Sequence, residues 1–275
     1  MEGLSIDAGD MAVRLFDGQL ALGPLDIGIS GGRLRAAPWI RLSPEPMELV
    51  IPPSRLLENV TLSEHACDRW LRTIAPLLAQ STRAQGRVSI DLANARVPLG
   101  DPLSGDISGR ILFDTFEVTP GAPAAPLVML VRKLQTLIDP TLAFNDKQLF
   151  IRVRNEPVRF RLVERRIWHD GLIMDTGQVV AKTSGSVGAD GSLAMNLELS
   201  FRGDVVGTTP IVAALVKTPL VVPLRGTVNQ PQFDSSQIDI MLARIVEHAV
   251  KNVIADSIGR GLEGLLGIPK APPAP

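Results

Sequence analysis

The chain has 275 residues, 45% hydrophobic and 21% charged, which excludes a disordered polymer and leaves room for one large domain or two ordinary ones. A net charge of −1 gives no global attraction to nucleic acid. Tyrosine is absent and aromatic residues total 4%, so the apolar surface is almost all aliphatic, suited to a core or to acyl chains and poor at stacking bases or sugars.

The first 52 residues read as short strands with tight turns, over 12–16, 19–22, 25–29, 33–35 and 47–51. Asp17-Gly18 and Gly31-Gly32 are hairpin signals. The opening residues lack the basic start and apolar middle of a signal peptide. A chain that begins directly on strand-like text is expected of a piece cut from a longer protein. Helical text follows. Thr61 and Glu64 have the spacing of a capping box, and Trp70, Leu71, Ile74, Leu77 and Leu78 recur at helical intervals, with Pro76 set to kink or end the helix.

Alternation returns over 87–97, with Val88, Ile90 and Leu92 on one side. A strand over 108–118 places Ile111 and Phe113 together. The Pro-rich break at 121–126 is the best candidate for a weak subdivision. It leads into a short apolar helix over 127–138, interrupted by Arg132 and Lys133. That helix could lie on a membrane surface, although packing on the sheet is the expected arrangement. Strands over 149–154 and 158–162 flank Asn155-Glu156-Pro157. A turn is expected over 165–171, then strands over 172–175, 178–187 and 192–202. In the last of these Leu193, Met195, Leu197, Leu199 and Phe201 alternate with mostly polar residues, which predicts one oily and one wet face. A cap-like start at Asp234 precedes an apolar stripe from Ile238 to Ile254 and predicts a long C-terminal helix. Residues 267–275 read as a disordered Pro-rich tail.

The expected fold is therefore mainly β (α+β): one antiparallel, curved, groove-like sheet over 1–266, with about three helices. No apolar run reaches the roughly 18–20 residues of a membrane-spanning helix.

No catalytic, cofactor or metal signature emerges, and the chain is not expected to be an enzyme. It has no phosphate-binding loop, nucleophile elbow or zinc-protease motif. Cys67, the sole cysteine, cannot form an intrachain disulfide. It lies two residues from His65 on a predicted helix, so the two side chains diverge and Cys67 reads as a small buried hydrophobe. His169, beside Asp170, reads as a solvated turn residue. Arg152, Arg154, Arg159 and Arg161 occupy the polar positions of two strands. They could hold anionic headgroups, or form the wet face of a sheet.

Two motifs in the C-terminal third carry a resemblance. Gly185-Ser-Val-Gly-Ala-Asp-Gly191 leads into Ser192-Leu193. Val222-Pro-Leu-Arg-Gly226-Thr227 leads to Pro231 and the helical text after Asp234. In that order they resemble the C-terminal region of AsmA-like bacterial envelope proteins, over roughly 165–266. The resemblance implies a long β-groove whose apolar concave face carries phospholipid tails between membranes, on the periplasmic side and in the service of outer-membrane biogenesis. It implies no cofactor. It implies phospholipid or another acyl lipid as ligand, with a membrane surface or envelope proteins as further partners. The acyl-facing candidates are then Leu193, Met195, Leu197, Leu199, Phe201, Val88, Ile90, Leu92, Ile111 and Phe113. The same ten residues would equally form a closed core beneath helices. The alternative function is a structural or assembly module that binds protein partners through sheet edges or the C-terminal helix.

Overall fold

The computed structural model describes residues 4–8, 10–62, 71–78, 83–138, 150–202 and 219–233, with Ile240, Ala243 and Glu247. Among these residues sixteen antiparallel strands form one hydrogen-bonded sheet. Its longest path crosses twelve strands, which at about 4.8 Å per step is roughly 50 Å. The helix expected after Asp234 lies outside the described residues, apart from Ile240, Ala243 and Glu247, which are helical. Two helices are described rather than the expected three. His65, Cys67 and the Glu64 half of the predicted capping box also lie outside the described residues.

The centre of the sheet is a hairpin of two long strands, β8 (Arg83–Pro98) and β9 (Asp106–Thr119). Each shares its outer edge between two short strands. Beside β8 run β7 (Ser54–Thr61) and β6 (Glu48–Ile51). Pro52 and Pro53, which have no N–H to donate, separate β6 from β7. The sheet therefore forks at β8. One ribbon continues through β6, β5 (Trp39–Arg41), β2 (Gln19–Leu22) and β1 (Val13–Phe16). The other continues through β7, β4 (Gly32–Ala36) and β3 (Leu25–Ile29). Beside β9 run β10 (Ile151–Val153) and β11 (Val158–Val163), parted at Asn155-Glu156-Pro157. Strands on both sides of the break at 121–126 thus belong to one sheet. The path ends through β12 (Arg166–Thr176), β13 (Val179–Gly188), β14 (Leu193–Phe201), β15 (Leu220–Thr227) and β16 (Gln230–Phe233).

Several sequence expectations shift. In the second ribbon β3 and β4 turn at Ser30-Gly31, one residue earlier than expected, with both at positive φ. The turn expected over 165–171 is instead made by Glu164 and Arg165, at φ 51° and 59°. Residues 166–171 continue as strand, and Gly171, at φ 91°, marks a β-bulge between the pairs of Asp170 and Leu172. β5 and β7 were not foreseen. Pro76 ends a helix, as expected: residues 71–74 are helical, Ala75 donates to the Leu71 carbonyl, and a 3₁₀ turn follows at Pro76–Leu78.

Register fixes two faces. Val60–Val88–Phe113, Leu57–Ile90–Ile111–Val158 and Ala181–Leu199–Leu220 run across one of them. That face is closed by the second helix, α1 (Ala125–Ile138), and by residues 71–78. Leu127, Leu130, Val131, Leu134, Leu71, Leu77 and Leu78 join the strand residues in one buried cluster. α1 keeps Arg132 and Lys133 on its exposed side.

Gly185 is a point of close approach on this face. Its φ is 132°, and an added Cβ would meet the backbone of Ala194 and Met195. Gly185→Ala is expected to cost about 2–4 kcal/mol, measured by urea unfolding, because neither the dihedral nor the backbone contact can relax cheaply.

Candidate functional site

The ten positions expected to face acyl chains do share one face. All are at most 7% exposed, and all belong to the cluster that includes α1. Their place is a filled core.

The same face is not covered everywhere. Val97 pairs with Leu49, Leu49 with Ile40, Ile40 with Leu20, and Leu20 with Leu15. Val13 and Leu22 form a second row. Ile51, opposite the buried Ala95, still packs against the core. Beyond it, Leu49, Ile40, Leu20 and Leu22 are only half-buried, and Leu15 is 69% exposed. The aliphatic face thus runs without a break from closed core to open surface, toward the edge strand β1.

The four arginines lie on the opposite face. Arg152 donates to Glu117 at 2.7 Å, and Arg154 makes two bonds to Asp175 at 2.7 and 2.9 Å. Arg159 donates to Asp170 at 2.6 Å. Donation to the Asp175 carboxylate raises the Arg154 pKa above its usual value. Only Arg161 has no hydrogen bond or ion pair among the described residues. A lipid lying on the aliphatic face would not reach these arginines through the sheet.

A ladder of charge crosses this wet face. Arg55 donates to Asp91 at 2.8 Å, and Arg110 donates to the other Asp91 oxygen at 3.1 Å. The Arg55 hydrogen bond is the main reason the Asp91 carboxyl sits below its usual range. Beside the ladder is a groove of about 590 Å³ across β8, β9, β11 and β12. By register, one wall is Asp91, Arg110, Arg159 and Asp170, and the other is Ser108, Arg161 and Trp168.

His169 is placed differently from the sequence reading. It lies within β12, 3% exposed, on the apolar face between Phe160 and Gly185. Its Nε2 is 3.0 Å from the Thr183 hydroxyl, and its Nδ1 is buried without a partner. Burial pushes its pKa down to about 4, against a smaller upward pull from Asp170.

Among the described residues no group of three or more His, Cys, Asp or Glu side chains is arranged to hold a metal, and no helix is long and apolar enough to cross a membrane. No family model, curated protein or solved structure matches the chain.

Proposed function

We propose that the protein is a non-catalytic lipid-binding domain of the bacterial cell envelope, of the AsmA-like kind, which holds acyl chains on the aliphatic face of its sheet. One observation carries this reading. The apolar face does not end where the helices end, but continues uncovered over Leu49, Ile40, Leu20 and Leu15. Water is a poor neighbour for such a row, at about 25 cal/mol per Å² of exposed apolar area, and an acyl chain laid along it recovers that free energy. The composition supports the same ligand, because aliphatic rows suit alkyl chains and aromatic platforms are scarce. The C-terminal pieces of the resemblance also take the structural roles that their residue types favour. Gly191 and Gly226 are at positive φ, and Pro231 stands in the edge strand β16. In this reading the ten buried candidates form the rigid floor, and lipid occupies the part of the face formed by β1, β2, β5 and β6.

The test is native mass spectrometry for co-purified phospholipid, with uptake of a fluorescent fatty acid, on the wild type and on Leu15→Asp/Leu20→Asp. The double variant is expected to weaken uptake about tenfold or more. Leu15→Asp alone should stay within about 0.5 kcal/mol of wild-type stability, because the site is exposed. No bound lipid and no uptake by the wild type would end this reading.

A second reading is a structural or assembly module that binds a protein partner by strand addition. It is favoured by β1, which among the described strands pairs only with β2 and carries Val13, Leu15 and Phe16 exposed. Leu15→Pro would block strand addition, and a partner lost on that change would support it.

A further inference from the structure

The wet face carries a feature that acyl binding on the other face does not use. We propose that the groove across β8, β9, β11 and β12 binds a small organic monoanion, with the anion on Arg161 and an apolar or aromatic body on Trp168. Four observations support this site.

The first is charge. Arg110, Arg159 and Arg161 face Asp91 and Asp170 in the groove, and Asp91 is also held by Arg55 from beside it, so the groove keeps a positive surplus. The salt bridges assign that surplus. Arg110 is held by Asp91 and Arg159 by Asp170, while Arg161 has no partner among the described residues. A guanidinium presents a planar fork of donors that suits a carboxylate or phosphate.

The second is the neighbour across the strand pair. Ser108 stands opposite Arg161 in the register, and its hydroxyl has no hydrogen-bond partner among the described residues. It supplies a second donor at the same end of the groove.

The third is Trp168, opposite Arg161 on the other side and 40% exposed. A large indole at a wet position of a strand is costly to leave in water, and it offers a flat surface to an apolar body. Its strand neighbours Ile167 and His169 turn to the apolar face, so the indole stands on the wet face and packing against the core does not explain it.

The fourth is shape. A volume of about 590 Å³ falls in the range of small-molecule sites. The floor between the two walls is backbone, because Leu92, Phe160 and His169 turn their side chains to the apolar face and Gly109 has none. The bulge at Ala93 in β8 and the one at Gly171 in β12 bracket the groove and fix the outward rows on either side of it.

The site is independent of the acyl reading, since it lies on the other face, and either can fail without the other. The experiment is isothermal titration of the full chain with four probes: 2-naphthoate, 2-naphthamide, inorganic phosphate, and dihexanoyl phosphatidylglycerol below its micelle concentration. 2-Naphthoate is expected to bind, with 2-naphthamide and inorganic phosphate each at least about tenfold weaker. Arg161→Gln and Trp168→Leu should each weaken 2-naphthoate about tenfold, whereas Arg14→Gln, on β1, should leave it unchanged. Both site residues are exposed, so the variants should keep the wild-type thermal midpoint. Tighter binding of the phosphatidylglycerol than of 2-naphthoate would assign the monoanion to a lipid headgroup, and the reverse would assign it to a free small acid. Absence of binding by both, equal binding of the amide or of phosphate alone, or binding indifferent to both substitutions would overturn the proposal.

Discussion

Leu197→Glu is expected to abolish cooperative folding. Leu197 lies at the middle of β14, fully buried, with Thr183 and Val222 opposite it on the flanking strands. An ionised carboxylate there would have Thr183 and Val222 as its cross-strand neighbours, and neither could replace its water. The penalty is at least about 4–5 kcal/mol, against a total stability of about 5–15 kcal/mol for a typical domain. Leu197→Ala, which leaves only a cavity, should cost about 2–5 kcal/mol and remain folded. Circular dichroism and urea unfolding read both. A folded Leu197→Glu protein with wild-type cooperativity would mean that this part of the face is open rather than packed.

The second large effect is expected with pH. His169 is neutral in the folded protein, since its pKa is about 4 while an unfolded histidine titrates near 6.5. Above pH 6.5 both states are neutral and nothing is lost. As pH falls from 6.5 toward 4, the unfolded chain takes up a proton that the folded chain refuses, so stability drops. Below about 4 both states are protonated and the loss levels off. The full difference is about 3 kcal/mol. Its cause is local: an imidazolium carries an N–H at both ring nitrogens, and Nδ1 has no acceptor in a place that water does not reach. His169→Gln keeps a polar partner for Thr183 and removes the titration. The stability gap between wild type and variant should therefore shift by about 3 kcal/mol between pH 7 and pH 4, with the wild type losing more. Parallel pH profiles would contradict the buried neutral state.

Much of the sheet is legible in the sequence because its strands bury one face only. β14 and most of β8 read directly from period-2 alternation, since successive residues along a strand point to opposite sides. β7 escapes the same reading. Two register irregularities and Asn59 at φ 52° break its alternation, and it follows two prolines. His169 shows how one residue reverses a reading. Leu172, Met174 and Thr176 face the core, and a regular strand would place residue 169 on the wet face. The bulge at Gly171 adds one residue, so His169 and Ile167 turn inward while Trp168 and Asp170 turn outward. Nothing in the local sequence separates a glycine that closes a turn from one that makes a bulge. The actual turn uses Glu164 and Arg165, residue types that carry no turn signal.

The candidate sites were legible only in part. The aliphatic rows and the arginine rows were visible as residue types. Their separation onto opposite faces follows from register. So does the groove, which joins residues near 91, 109, 160 and 169 that are far apart in the chain. That Leu193–Phe201 share one buried cluster with α1 and residues 71–78 while Leu15 stays bare depends on tertiary packing, which no spacing encodes.

Photolabelling with a diazirine fatty acid, followed by peptide mass spectrometry, tests the division of the apolar face most directly. Adducts are expected on β1, β2, β5 and β6, at or beside Leu15, Leu20, Ile40 and Leu49, with none on β14 between Leu193 and Phe201. Adducts concentrated on β14, or none above those of a denatured control, would contradict it.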